Sequence, residues 1–491
     1  MEMEFMEREL RCLRQSAADI ATTEQTMELR LPENKPPIGR VLGAWGQCLL
    51  RGKEWQGDRV AVNGGVVVNA LYESEGGGSL ESVQGWLPFQ LSWELNDSHR
   101  DGTMVVSCVV REVDARQIGA EKLILRASVS AMAQALEEES YPWWDAGDAT
   151  GDMQLLKQEL RFCLPMEAGE RKFQLEETLQ PSPGQMDMER LLFGQLIPSV
   201  KEAKVMEDKL VFRGSAAYHV VYLGADGMLH VWEGELPMSQ LDQLQQEYSP
   251  EAELWVDPLI TDLEFTAMEG GGLGIKADVL AQYVVYDHSV VSVVTDAYCP
   301  NCPVELQWQQ VMFPGVKERR MEQITLSSSI AENASQLAEG TVALGQPRLN
   351  ASDGMLEGSM SALFYDEDNR LQTARTAVNQ TFPLTEGNWQ GWLLPQQKIQ
   401  GSLGAEEIRL NANVGVMLLS MEDAGVSMIC GITVGEPENK AGKPGLILRK
   451  AGNMSLWELA KKCGSTVAAI EEANGLEGQP EAERMLLIPV K

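Results

Sequence analysis

The chain has 491 residues, 44% hydrophobic and 23% charged, a balance that fits a globular protein and excludes a disordered one. It is too long for one ordinary core, and its length predicts about three to four domains. Lys and Arg number 40 against 72 Asp and Glu, a formal charge of −32, which argues against binding nucleic acid or an anionic membrane by charge.

Residues 1–19, MEMEFMERELRCLRQSAAD, carry no basic n-region and no uninterrupted apolar stretch. They are not read as a secretory signal, so the expected location is the cytosol. Met6, Leu10, Leu13 and Ala17 fall at helical spacing, and the segment is expected to form an N-terminal amphipathic helix packed on the body. No run approaches 18 apolar residues, so no transmembrane segment is expected.

Three stretches then resemble one another: DRVAVNGGVVVNALYE (58–73), DKLVFRGSAAYHVVYL (208–223) and DGMLEGSMSALFYD (353–366). Each runs from Asp through Gly (Gly64, Gly214, Gly358) to Tyr (Tyr72, Tyr222, Tyr365). Each reads as a strand in which the Gly marks a bulge or a close approach. A polar or Gly-rich turn follows, then WLPF, ELPM or TFPL, the order of a hairpin leading into a Pro-containing strand end. Another strand-like pair closes each unit, and Ile408, Leu410, Ala412, Val414 and Val416 alternate as a half-buried strand does. Leu42 and Tyr72 are 30 apart, as are Leu192 and Tyr222; Tyr-to-Tyr distances of 150 and 143 are too long for a solenoid. The sequence therefore predicts tandem duplication of a mainly-β domain, at 20–140, 155–300 and 317–435. Segments 137–152, 299–315 and 436–444 read as linkers.

Eight cysteines are scattered, and only Cys299 and Cys302, in CPNCP, form a C-x-x-C. A structural zinc site needs a second pair or nearby histidines, and the chain has only 4 His. Cys299 and Cys302 are weak metal candidates in what reads as a Pro-rich turn. No Walker A, G-x-S-x-G or H-E-x-x-H pattern occurs. The EGGGLG at 269–274 lies between strand signals and reads as a hairpin turn. No cofactor and no enzymatic activity are expected.

The C-terminal 445–491 differ in kind. Ser455 and Glu458 form a capping box. Leu456, Leu459, Ala460 and Cys463 make one apolar stripe, and Gly464 stops that helix. Ser465 or Thr466 caps a second helix, ended by Gly475. GLILRKAG before and RMLLIPV after read as strands. The expected order is strand–helix–helix–strand, a small α+β module. Arg449, Lys450, Lys461, Lys462, Arg484 and Lys491 balance Glu458, Glu471, Glu472, Glu477, Glu481 and Glu483, so the negative charge lies in the β-domains.

This module resembles the LysM domain through Gly452, Leu456, Trp457, Ala460, Val467, Ile470, Asn474, Gly475, Leu476 and Leu486–Pro489. It departs in AGNMSLW, where Asn453 replaces the usual Asp and Met454 is inserted, and in EAERMLLIP, which lacks the usual Gly-Gln. Both changes fall in loops of the family's glycan groove. Three β-rich repeats ahead of such a module resemble tandem SPOCS domains, which are spore-coat-associated, in the layout of SipL-like spore morphogenesis proteins. That resemblance implies a non-enzymatic adaptor of spore coat assembly at the forespore surface, in the mother-cell cytosol. Its implied partner is the coat's basal-layer morphogenetic ATPase or another coat protein; the alternative is binding of peptidoglycan or chitin-type glycan. Gly452, Asn453, Met454, Ser455, Trp457, Lys461, Asn474 and Leu476 are the candidate binding residues, Trp457 because aromatics anchor interfaces.

Overall fold

The computed structural model describes residues 2–3, 5–77, 79–94, 102–147, 152–394, 399–437, 445–476, 478 and 480–490. It is mainly β, with two short helices near the C-terminus. The strands are β1 (Glu2–Met3), β2 (Phe5–Arg30), β3 (Ile38–Gln56), β4 (Arg59–Ser74), β5 (Leu80–Glu94), β6 (Thr103–Gly119) and β7 (Lys122–Ala146). Next come β8 (Gln154–Leu179), β9 (Met188–Met206), β10 (Lys209–Gly224), β11 (Leu229–Gln243), β12 (Glu253–Ala267) and β13 (Leu273–Tyr298). They are followed by β14 (Val304–Phe313), β15 (Val316–Ile330), β16 (Gln336–Leu344), β17 (Arg348–Leu349), β18 (Asp353–Tyr365) and β19 (Leu371–Pro383). The remainder are β20 (Asn388–Leu393), β21 (Gln400–Leu403), β22 (Ile408–Met421), β23 (Ala424–Val434), β24 (Leu446–Lys450), α1 (Leu456–Cys463), α2 (Val467–Asn474) and β25 (Met485–Pro489).

One pattern recurs. A meander (β3-β4-β5, β9-β10-β11, and β16 with β17, β18 and β19) packs on a second antiparallel sheet (β2-β7-β6, β8-β13-β12, and β15-β22 with β20 and β21). The central meander strand contains the repeated Gly and Tyr. A Cβ added to Gly64, Gly214 or Gly358 would stand 2.5, 2.0 or 2.1 Å from the carbonyl oxygen of Leu49, Ser199 or Ala343 on the neighbouring strand. Only glycine allows the two backbones that close. Tyr72 and Tyr222 each donate to a carbonyl 36 residues upstream, of Pro36 at 3.1 Å and Met186 at 3.0 Å. Tyr365 instead accepts from the Leu229 N–H, 3.3 Å away in the second unit. Pro88 and Pro237 lie on the outer strands β5 and β11, where a missing N–H leaves no ladder bond broken.

The three units share cores. Leu42 and Leu71, Leu192 and Val221, and Leu363 and Tyr365, one pair from each unit, lie in one buried cluster. Leu13, Val105 and Leu136 meet Trp255, Val284 and Tyr286, with Met417 of the third unit, in another. Polar contacts join the units as well. Gln282 on β13 brackets Val106 on β6, accepting from its N–H at 2.9 Å and donating to its carbonyl at 2.7 Å. Gln346 donates to Ser107 Oγ at 2.8 Å and accepts from the Leu393 N–H at 2.9 Å. His219 holds Glu339 of the third unit at 2.7 Å and Glu233 of its own at 3.0 Å.

The N-terminal segment is strand, not helix. Residues 5–30 form β2, paired with β7 from Phe5↔Ala146 to Arg30↔Lys122. The helical reading failed because both faces of this strand are wanted. Cys12 and Leu13 are adjacent and both buried, yet Cys12 enters one cluster and Leu13 another; apolar residues spent on two faces imitate a period of 3.6. Two expected linkers are also largely strand: β7 continues to Ala146, and residues 304–313 are β14, paired with β23. Of the third, residues 438–444 lie outside the described residues.

These segments have one purpose. Beyond β6, the ends of β2 and β7 run on as a two-stranded ribbon; beyond β12, the ends of β8 and β13 do the same. β14 and β23 are the third ribbon, tied to the first unit by β1, where Met3 pairs with Ile432. Cys12, Phe162, Val291, Phe313 and Met428 bring all three ribbons into one core, and Ala146, Val294 and Ile432 into a second.

Candidate docking surface of the C-terminal module

The described residues between Leu446 and Pro489 fold as β24-α1-α2-β25, with β24 and β25 antiparallel. The local signals act as written. Ser455 caps α1: its Oγ accepts from the Glu458 N–H at 3.2 Å, and Glu458 Oε2 accepts from the Ser455 N–H at 2.7 Å. Gly464 and Gly475 close the two helices with φ of +66° and +59°. Thr466 caps α2. Ala451, Leu456, Leu459, Ala460, Ile470, Leu486 and Ile488 are buried together.

The candidate residues divide by what they touch. Ser455 and Asn474 hold the fold: Asn474 donates to the carbonyls of Ile470 and Leu487 and accepts from the Leu487 N–H at 2.7 Å. Gly452 sits in the turn after β24 with φ of +62°. Met454 and Leu476 pack partly into the module core. Asn453 is exposed.

Trp457 and Lys461 both reach the body, although Lys461 stays partly exposed to solvent. The Trp457 indole N–H donates to Asp296 Oδ2 at 2.8 Å, and its ring meets Tyr298 edge-on with centroids 4.9 Å apart. Lys461 Nζ reaches both Asp296 oxygens, at 2.6 and 2.8 Å. Asp296 and Tyr298 end β13, so the module sits on the tip of the second ribbon. Burial raises the Asp296 carboxyl, but hydrogen bonds from Lys461 and Trp457 and the Lys461 charge outweigh it and hold the carboxyl below its ordinary value.

A different surface stays open. Leu446 and Leu448 on β24, and Met485 and Leu487 on β25, are 52%, 64%, 47% and 36% exposed. Leu448 pairs across the sheet with Leu487, and Leu446 with Pro489. Alternation places these side chains on one face and Ile447, Leu486 and Ile488 on the other, against the helices. The signal was in the sequence: both strands are apolar at every position from Leu446 to Leu448 and from Met485 to Pro489, and a two-stranded sheet under two helices buries one face only.

Cys299 packs among the ribbon side chains, and Cys302 follows in the turn before β14. Among the described residues, no group of three or more His, Cys, Asp or Glu is placed to hold a metal ion, and no helix is long and apolar enough to cross a membrane.

With this geometry in view, residues 187–268 match the family described as SipL, SPOCS domain. The match spans β9 to β12, the meander of the second unit and the strand after it. It supports a SipL-like protein and points to a sporulation-associated role. No curated protein and no solved structure matches the chain.

Proposed function

We propose that this chain is a non-enzymatic adaptor of spore envelope assembly, with three SPOCS-like units as its body and a LysM-like module as its grip. The module binds a coat protein, the basal-layer morphogenetic ATPase being the first partner to test, at the forespore surface in the mother cell. The observation that carries this reading is the apolar face of Leu446, Leu448, Met485 and Leu487. Clustered aliphatic and Met side chains on a rigid sheet suit a protein interface. They offer a sugar few hydrogen bonds. The family match over 187–268 supports the sporulation setting.

The test is co-sedimentation of the purified full chain with the assembled coat ATPase and, separately, with insoluble peptidoglycan. Binding to the ATPase that is lost in the Leu448→Asp, Leu487→Asp double variant supports the proposal. Retention on peptidoglycan, unchanged by that variant, would favour the glycan reading instead.

A further inference from the structure

Gln134 stands on β7 where Gln282 stands on β13, each directly after an alanine. Gln282 is fully buried and spends both ends of its amide on Val106 of the neighbouring unit. Gln134 is as well buried, at 3% exposure, and stands where the first unit faces the third. Its Nε2 donates to Gln15 Oε1. Its Oε1 has no protein partner.

Two donors share that condition at the same place. Trp392, 4% exposed, has no acceptor for its indole N–H, and Arg319 has none for Nη1. Arg319 is otherwise engaged, with Glu253 at 2.8 Å and its guanidinium over the Tyr286 ring at 5.4 Å. Gln134 of the first unit, Trp255 and Tyr286 of the second, and Arg319 and Trp392 of the third all line one small cavity. It leaves about 10 Å³ for a molecule the size of water, close to the minimum that holds one.

We propose that this cavity is a built site for a single water molecule, which accepts from the Trp392 indole N–H and the Arg319 guanidinium and donates to Gln134 Oε1. Three partners are the usual number for a buried water. The chemistry selects water over an ion. An anion would face the Gln134 carbonyl oxygen, and a cation would face two N–H donors and the Arg319 charge. The site thus completes at the first–third junction the polar link that Gln282 makes directly at the second–first junction, with Trp255 and Tyr286 of the second unit as its wall.

A crystal structure of the full chain, at a resolution that places waters, tests this. One peak within hydrogen-bonding distance of all three atoms is expected. In solution, the Trp392 indole N–H, identified by the signal lost in Trp392→Phe, should show a cross-peak to a long-lived water. That cross-peak should vanish in Gln134→Leu while the other indole signals stay in place. An empty cavity, a direct hydrogen bond between any two of the three groups, or an indole signal with no water cross-peak in the unaltered protein would overturn the proposal.

Discussion

Lys461 on α1 grips Asp296 at the end of β13 through both carboxylate oxygens, and the neighbouring Trp457 indole donates to the same group. The C-terminal module is therefore seated on the second ribbon by one carboxylate that takes three hydrogen bonds from it. Its helix face is turned inward and its sheet face outward.

Asp296→Ala should loosen this seat without unfolding either part. The pair is partly exposed, so the ion pair contributes roughly 0.5–1 kcal/mol, and the indole bond about as much again. The expected readout is a red shift of Trp457 emission, taken as the difference from Trp457→Phe because the chain has 12 Trp, with little change in urea midpoint. Because the Asp296 carboxyl is held below its ordinary value, its contribution is complete above about pH 4 and fades only as the pH falls further. The Trp457 emission should then be flat between pH 5 and 8.

His219 predicts the opposite slope. Burial lowers its affinity for a proton, but hydrogen bonds and charge from Glu339 and Glu233 more than compensate, and the imidazole is held above its ordinary value. Both ring nitrogens face carboxylates, so the charged form is the one that satisfies them. The stabilisation is complete below about pH 6.5 and is lost as the pH rises through the raised value. Thermal unfolding of the full chain should show a falling Tm across that window, and His219→Gln should flatten the profile.

Gly214→Ala would drive a methyl group to 2.0 Å from the Ser199 carbonyl, a backbone atom with nowhere to go. A loss of about 1–3 kcal/mol is expected from such overpacking, read as a lower urea midpoint at unchanged slope. Gly52→Ala is the control: nothing lies within 4 Å of its added Cβ, so stability should move by less than about 0.5 kcal/mol.

How much of this was legible in the sequence follows from the range of each interaction. The meander strands were, because Gly64, Gly214 and Gly358 mark the same close approach in each unit, and Tyr72 and Tyr222 the same hydrogen bond in two of them. The two helices were, because Ser455, Glu458, Gly464 and Gly475 cap within a few residues of themselves. The ribbons were not. β2 meets β7 over separations of 92 residues (Arg30↔Lys122) to 141 (Phe5↔Ala146), and its two buried faces disguise its period of two. The seat of Trp457 was hidden for the same reason, since Asp296 is 161 residues away. The indole named as a candidate anchor makes a contact within the chain, and the exposed apolar face of the module lies at Leu448 and Leu487.

The most direct measurement is the position of a fluorescent full-length fusion in sporulating cells, compared with the Leu448→Asp, Leu487→Asp variant purified in parallel and shown to unfold at the same urea midpoint. The unaltered chain should gather at the forespore and the variant should spread through the mother cell. A variant that is folded and still gathers at the forespore would contradict the assignment of that face as the grip.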